Sequence, residues 1–79
     1  MKTTKKQFVN FAIGLIKEIS NQNKNKNIKV EYRVNSIYLW FHYYDEDSCE
    51  CIRFYSFDTL RENKARFKIA ILKIKGFVS

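Results

Sequence analysis

The sequence predicts a two-layer α+β domain in the order helix, three antiparallel strands, helix. Three observations support this prediction. Apolar residues recur at helical spacing near both ends of the chain and alternate with polar residues along its middle. Short polar segments separate the alternating stretches, as the turns of an antiparallel meander do. Each helix has an apolar stripe that needs a partner, so both helices are expected on one face of the sheet.

Composition limits the classes of protein to which the chain can belong. One domain is expected, because 79 residues bury only a modest core. Fifteen Lys and Arg against eight Asp and Glu give a net charge of +7, which favours an anionic partner. Two cysteines are too few for a disulfide scaffold and fit a reducing compartment. We therefore expect a cytoplasmic protein, and no stretch has the roughly twenty apolar residues that span a membrane.

The first helix is predicted over residues 4–22. Apolar residues from Phe8 to Ile19 share a stripe of period 3.6. Thr4 and Gln7 have the spacing of a capping box, in which each side chain accepts a hydrogen bond from the other residue's backbone amide. A polar segment rich in Asn and Lys follows, and it is expected to form a loop because Asn competes with helical hydrogen bonds.

Three strands are predicted next, at residues 28–34, 37–44 and 49–55. Apolar and polar residues alternate along each, and β-branched and aromatic side chains are frequent, which is typical of half-buried strands. Asn35-Ser36 is interpreted as a two-residue turn that pairs Val34 with Ile37. The acidic segment between the second and third strands is interpreted as a four-residue turn. Together these turns place a uniformly apolar set of side chains on one face of the sheet.

The second helix is predicted over residues 58–75, with Ser56, Asp58 or Thr59 as its N-cap. Thr59 and Glu62 have the spacing of a capping box, and Gly76 is the expected C-cap. A rival interpretation applies to residues 67–74, where alternation and isoleucines also fit a strand. Strong helix formers on both sides favour the helix. The expected core comprises Phe8, Phe11, Leu15, Ile16, Leu39, Phe41, Ile52, Phe54, Phe67, Ile71 and Ile74.

The sheet face turned away from the helices carries several large aromatic side chains. In the predicted register Trp40 lies between Glu31 and Arg53 on the neighbouring strands. Rings beside arginines stack with them and make cation–π contacts. Such a surface fits a protein partner, a second copy of this chain or single-stranded nucleic acid, or it only stabilises a thin sheet. Its candidate interface residues are Tyr38, Trp40, His42, Tyr44, Arg53 and Tyr55.

The two predicted helices and the loop after the first carry most of the positive charge. Such a field attracts phosphate backbones without recognising their sequence. The same cations also fit a solvated coat that only keeps a small protein soluble. The candidate nucleic-acid-binding residues are Lys24, Lys26, Arg61, Lys64, Arg66 and Lys68.

The order of elements is similar to that of the double-stranded RNA-binding domain. In that family the second helix begins with a basic cluster that faces phosphates across a groove, and Lys64-Ala65-Arg66 is similar in position. This resemblance of topology implies contact between the cluster and a nucleic-acid backbone. The short turn at Asn35-Ser36 departs from the family, whose corresponding loop is longer and reaches the minor groove.

No catalytic or metal site is assigned from the sequence. His42 lacks a nucleophile–base partnership, and there is no Gly-rich phosphate loop, so neither enzyme activity nor a cofactor is expected. Cys49 and Cys51 lie on one strand face near His42, but the Cys-x-x-Cys knuckle of a zinc site is missing.

These features predict a small basic module that acts by occupancy rather than by catalysis. Its first predicted target is a nucleic acid or nucleoprotein, bound through the basic helical surface. The alternative is a protein-interaction module or homodimer that uses the aromatic sheet face. Frequent Lys, Asn and Ile indicate AT-rich coding DNA, as in low-GC bacteria and their phages. General experience of small proteins from such sources, rather than any residue of this chain, adds to this alternative a phage- or mobile-element-encoded inhibitor of a host nucleoprotein, similar to anti-CRISPR proteins. Neither a membrane nor a small-molecule substrate is expected.

Overall fold

The computed structural model describes residues 2–22 and 27–78 and has the predicted order of elements. Helix α1 spans Lys5–Gln22 and helix α2 spans Leu60–Val78. Between them lie strands β1 (Lys29–Val34), β2 (Tyr38–Tyr44) and β3 (Cys49–Tyr55), paired antiparallel in that order. Both helices pack on the same face of the sheet, which confirms the predicted two-layer α+β fold.

Both predicted capping boxes are formed. The Thr4 amide donates to Gln7 Oε1 at 2.8 Å, and the Gln7 amide donates to Thr4 Oγ1 at 3.2 Å. Thr59 and Glu62 repeat this exchange at the start of α2, at 3.0 and 3.2 Å. Each exchange satisfies two amides that a helix start otherwise leaves without partners, so local sequence sets where both helices begin.

The far end of α2 differs from its prediction. Residues 67–74 are helical, so the rival strand interpretation is wrong, and the helix continues to Val78 rather than ending at residue 75. Gly76 lies inside the helix with no positive φ, so its assignment as a C-cap is also wrong. Phe77 packs edge-on against Tyr43 with ring centroids 5.0 Å apart. This contact with the sheet supports the additional residues of α2.

The β1–β2 register is also different from the predicted one. Val34 pairs with Leu39 rather than with Ile37, a shift of two residues. Because side chains alternate between faces with a period of two, this shift leaves the paired residues of both strands on their predicted faces. It changes which residues are neighbours across the sheet, and it moves Ile37 from the predicted second strand into the turn.

The side chain of Asn35 explains the shift. Asn35 Oδ1 accepts hydrogen bonds from the amides of Ile37 and Tyr38 at 2.8 and 2.9 Å, and the Asn35 amide donates to the Tyr38 carbonyl at 3.1 Å. The turn therefore centres on Ser36-Ile37 instead of Asn35-Ser36. A type I′ turn at the predicted position would need positive φ at both central residues, and no residue of 2–22 or 27–78 adopts one.

The β2–β3 pairing is as predicted. Tyr44 pairs with Cys49, and the four-residue acidic turn is closed by a hydrogen bond from the Asp45 amide to the Ser48 carbonyl at 3.0 Å. Asp45 Oδ1 accepts hydrogen bonds from the amides of Asp47 and Ser48, each at 2.9 Å. The acidic side chain thus stabilises the turn that it occupies.

The helices run side by side in the same direction across the sheet. Phe11 contacts Phe67 with ring centroids 5.3 Å apart, and Lys75 Nζ lies 3.8 Å from Glu18 Oε1 further along. The predicted core is largely confirmed, although some members on the helices are only partly buried. Those partly buried members are Phe11, Ile16, Phe67 and Ile71.

A buried polar junction joins the N-terminal segment to the start of α2. Asn63 Nδ2 donates to Thr3 Oγ1 at 2.7 Å and to the Tyr55 carbonyl at 2.9 Å. The Thr3 hydroxyl in turn donates to the Asp58 carbonyl at 3.3 Å. Thr3 and Asn63 are both buried, and sequence periodicity did not indicate either of them. The junction holds the starts of the two helices together.

Tyr43 is a core residue that the sequence prediction omitted. Its side chain is completely buried, and its hydroxyl has no hydrogen-bond partner among the described residues. Burial, followed by the negative charge of its cross-strand neighbour Glu50, raises the pKa of Tyr43 to about 12. The neutral phenol is therefore the form that the folded protein accommodates.

Gly14 of α1 faces the side chain of Phe67 on α2 at close range. A Cβ added there would lie 2.7 Å from Phe67 Cζ and 3.1 Å from Phe67 Cε1. The Phe67 ring is also held against Phe11, which restricts how far it can move. The missing side chain at Gly14 therefore allows Phe67 to lie across α1.

We expect Gly14→Ala to lower the free energy of unfolding by about 1 kcal/mol net, because overpacking against Phe67 outweighs the gain in helix propensity. Gly76→Ala is the matched control, since nothing lies within 4 Å of its added Cβ. This control should raise the free energy of unfolding by up to about 1 kcal/mol. Urea denaturation followed by circular dichroism measures both, and a stabilised Gly14→Ala would show that the ring moves aside without cost.

We expect Tyr43→Phe to change the dependence of stability on alkaline pH. The pKa of Tyr43 is raised on folding, so the neutral phenol contributes fully to the free energy of unfolding below about pH 10. This contribution is lost as the pH rises towards 12. The variant should avoid about 1 to 2 kcal/mol of that loss. Urea denaturation at pH 8 and pH 11 gives the difference, and Tyr32→Phe, at a half-exposed tyrosine, is the control. An identical alkaline loss in Tyr43→Phe would contradict this role.

Candidate functional site

The exposed face of the sheet is formed by alternate residues of each strand. Leu39, Phe41 and Tyr43 of β2 are buried under the helices, so the residues between them project to the opposite side. These outward residues are all half-buried by their neighbours on the sheet. All of the residues predicted for a protein interface lie on this face, namely Tyr38, Trp40, His42, Tyr44, Arg53 and Tyr55.

The observed register places Trp40 between two arginines. Its cross-strand partners are Arg33 on β1 and Arg53 on β3. The neighbour predicted on β1 was Glu31, and the shift of two residues replaces that carboxylate with a guanidinium. The prediction of Glu31 beside Trp40 is therefore wrong, and this part of the face is more positive than the sequence indicated.

Glu31 lies instead at the other end of the face. It pairs with His42, and its Oε1 accepts a hydrogen bond from the Tyr44 hydroxyl at 3.2 Å. This hydrogen bond, more than burial, raises the pKa of Tyr44 above its usual value. The one acidic side chain described on this face is thus engaged with a tyrosine and removed from Trp40.

A pocket of about 430 Å³ opens at the positive end of the face. This volume lies within the usual range of small-ligand sites. The neighbouring Tyr55, followed by Cys51, raises the pKa of Arg53, so its guanidinium keeps its charge. No described acidic residue lines the pocket. Its lining residues are Arg33, Tyr38, Trp40, Arg53 and Tyr55.

The row of aromatic contacts along β2 stops at this pocket. The ring centroids of Trp40 and His42 are 5.4 Å apart, and those of His42 and Tyr44 are 5.0 Å apart. Between Tyr38 and Trp40, by contrast, the described structure shows no ring contact, and both residues line the pocket. The break in the row therefore lies at the lining of the pocket.

Two exposed apolar side chains lie next in sequence or in contact with residues that line the pocket. Phe57 stacks on Tyr55 with centroids 5.0 Å apart, and 68% of its surface is exposed. Ile37 is 59% exposed, and its carbonyl accepts a hydrogen bond from the Ser56 amide at 2.7 Å, which brings it close to Phe57. The sequence did not indicate Phe57, and it predicted Ile37 on the apolar face opposite Val34, which is wrong because the observed turn includes Ile37.

Part of the predicted basic surface is brought together on α2. Arg61, Lys64 and Lys68 are exposed, and they line a shallow groove with Leu60 and Ala65. Helical spacing explains this arrangement, since residues three and four apart share a face of the helix. These three cations form what we call the α2 groove.

The other predicted basic residues do not join the α2 groove. Arg66 forms an ion pair with Asp58, and its NH1 also donates to Asn63 Oδ1 at 3.3 Å. Arg66 thus supports the buried junction at the start of α2. Lys24 and Lys26 lie outside the described residues.

The cysteines do not form a metal site with their neighbours in the described part of the chain. Cys49 and Cys51 are both free and exposed, and Cys51 pairs with His42 across the sheet. Within residues 2–22 and 27–78, no three His, Cys, Asp or Glu side chains are grouped closely enough to hold a metal ion. None of the described helices combines the length and the apolar character needed to cross a membrane.

Comparison with known proteins gives no match: no family model, curated protein or solved structure resembles this chain significantly. What the protein binds is therefore inferred from its own surfaces.

We expect Trp40 fluorescence to be quenched more strongly by iodide than by caesium at low salt. Trp40 is the single tryptophan, and the adjacent Arg33 and Arg53 concentrate anions around it. Stern–Volmer constants, each normalised to N-acetyltryptophanamide, provide the measurement. Replacing both arginines with Ala should abolish the difference, whereas Lys17→Ala on the opposite layer should leave it. Equal quenching of the unchanged protein by both ions would contradict a positive pocket.

Proposed function

We propose that the protein is a non-catalytic module that binds single-stranded nucleic acid on its exposed sheet face. The observation that carries this proposal is the position of Trp40 between Arg33 and Arg53, beside a pocket with no described acidic lining residue. Proteins that bind single strands on a sheet stack bases on aromatic rings and hold phosphates with basic side chains. This face has both components at one place.

The placement of the rings supports the same proposal. The aromatic residues of β2 belong to the central strand and are half-buried between neighbouring strands, so little side-chain entropy is lost when a base stacks on them.

Acidic side chains and arginines lie at opposite ends of the exposed sheet face. The acidic turn at residues 45–48 lies at the end of β2 opposite the arginine-lined pocket, which directs a polyanion towards the pocket.

The α2 groove is the second surface that we propose for nucleic acid. Arg61, Lys64 and Lys68 are exposed there, and no described acidic residue lines the groove. These cations attract a phosphate backbone but offer no ring on which a base could stack. Because the α2 groove and the sheet face belong to opposite layers, variants of each can be tested independently.

A protein-interaction role of the sheet face is the second candidate function. Phe57, stacked on Tyr55, extends the aromatic surface beyond the pocket with exposed apolar area, and Trp, Tyr and Arg dominate the energetics of protein interfaces. This candidate covers a homodimer and an inhibitor of a host nucleoprotein. Under either candidate we propose a cytoplasmic location, which the two free thiols support.

Fluorescence anisotropy of a short labelled single strand tests the first proposal. Trp40→Ala should weaken binding about tenfold or more, because stacking of one base contributes about 1 to 3 kcal/mol. Arg53→Ala should weaken binding and reduce the slope of log affinity against log salt by about one, because one phosphate contact is lost. Circular dichroism checks that both variants fold.

Two control proteins assign the binding to a surface. Lys17→Ala removes one charge from the helical layer and should have little effect. Replacing Arg61, Lys64 and Lys68 together with Ala should spare binding at the sheet face. Loss of binding only in this triple variant would move the site to the α2 groove and overturn the sheet proposal. No binding at low salt, with self-association in sedimentation that Trp40→Ala abolishes, would instead favour the protein interface.

A further inference from the structure

The spacing of residues along β2 leaves room for one additional aromatic plane. Residues two apart on an antiparallel strand project from the same face about 6.8 Å apart. Aromatic planes in van der Waals contact are separated by about 3.5 Å. Two rings that stand parallel at the strand spacing can therefore hold one planar group between them.

Only one interval of the described β2 row lacks a contact between its rings. Trp40 and His42 lean together, as do His42 and Tyr44, with centroids 5.4 and 5.0 Å apart. These distances leave no space for an inserted ring. Tyr38 and Trp40 have no such contact within the described structure, and both line the pocket of about 430 Å³.

The charges around the interval indicate what the inserted group carries. Arg33 and Arg53 are the cross-strand partners of Trp40, so a guanidinium is available on each side of its ring. Guanidinium groups bind phosphate through paired hydrogen bonds. A ligand that combines a planar ring with an attached phosphate matches both features.

We propose that the pocket is a slot for a single nucleotide of the bound strand. Its base inserts between Tyr38 and Trp40, and Arg33 and Arg53 bind its phosphate. This inference rests on the proposed function and specifies the unit of the strand that the sheet face recognises. Every base has a flat face, so stacking in the slot accepts all four bases.

An aromatic side chain of a partner protein is a poorer match for the same space. A phenylalanine or tryptophan carries no charge, and it would leave two guanidinium groups without an anion. A peptide would need an acidic residue placed beside its aromatic one. The nucleotide supplies both groups in one unit, which is why we favour it.

Single strands built from abasic sites test the slot. A strand with one adenine among abasic sites should bind at least about tenfold more tightly than a fully abasic strand, given the usual stacking energy of a base. Further adenines in the same strand should raise the affinity only by the number of positions at which the slot can be filled. Tyr38→Ala should remove the gain from the single adenine but leave the affinity for the fully abasic strand unchanged.

Tyr32→Ala is the matched control, because Tyr32 lies on the face of the sheet that the helices cover and is not part of the pocket. It should change neither affinity. One outcome separates the slot from the proposed function. In it, binding of ordinary strands depends on Trp40, but each adenine raises the affinity equally and Tyr38→Ala binds as Tyr32→Ala does. The slot would then be overturned while the proposed function stands. Binding of no strand at low salt would overturn both, and binding only of a peptide with adjacent Phe and Asp would place a protein ligand there instead.

Discussion

Burial of one side of β2 is the constraint on which the rest of the structure depends. Leu39, Phe41 and Tyr43 are completely enclosed by the helices, and their removal from water is a major part of the hydrophobic stabilisation. Side chains alternate across a strand, so this burial sends the intervening residues to the opposite face. Formation of the core therefore creates the aromatic surface at the same time.

The hydrogen bonds of one turn then decide the charge of that surface. Burial alone permits β1 to shift by two residues, because the same faces remain buried. Asn35 removes this freedom by accepting hydrogen bonds from two turn amides. The result is that Arg33, and not Glu31, lies opposite Trp40. A local polar interaction thus converts a mixed-charge face into one with a positive pocket.

The arrangement of the helices keeps this face accessible. Both helices start at the same end of the sheet, where the hydrogen bonds of Asn63 hold Thr3 and the segment before α2 together. Close contact between Gly14 and Phe67 lets the two helices lie side by side on one face of the sheet. No described segment therefore crosses the aromatic side of the sheet, and the basic and aromatic surfaces lie on separate layers.

The sequence alone determined the type and order of the elements, both capping boxes, the β2–β3 pairing and the faces of the paired strand residues. These features depend on periodicity and on capping between residues a few positions apart, and they correctly placed Arg53 beside Trp40. Only the tertiary structure decided the position of Arg33, the burial of Tyr43 and Asn63 and the end of α2. Each of these depends on contacts between residues distant in the chain, or on a choice between turns that bury the same apolar face.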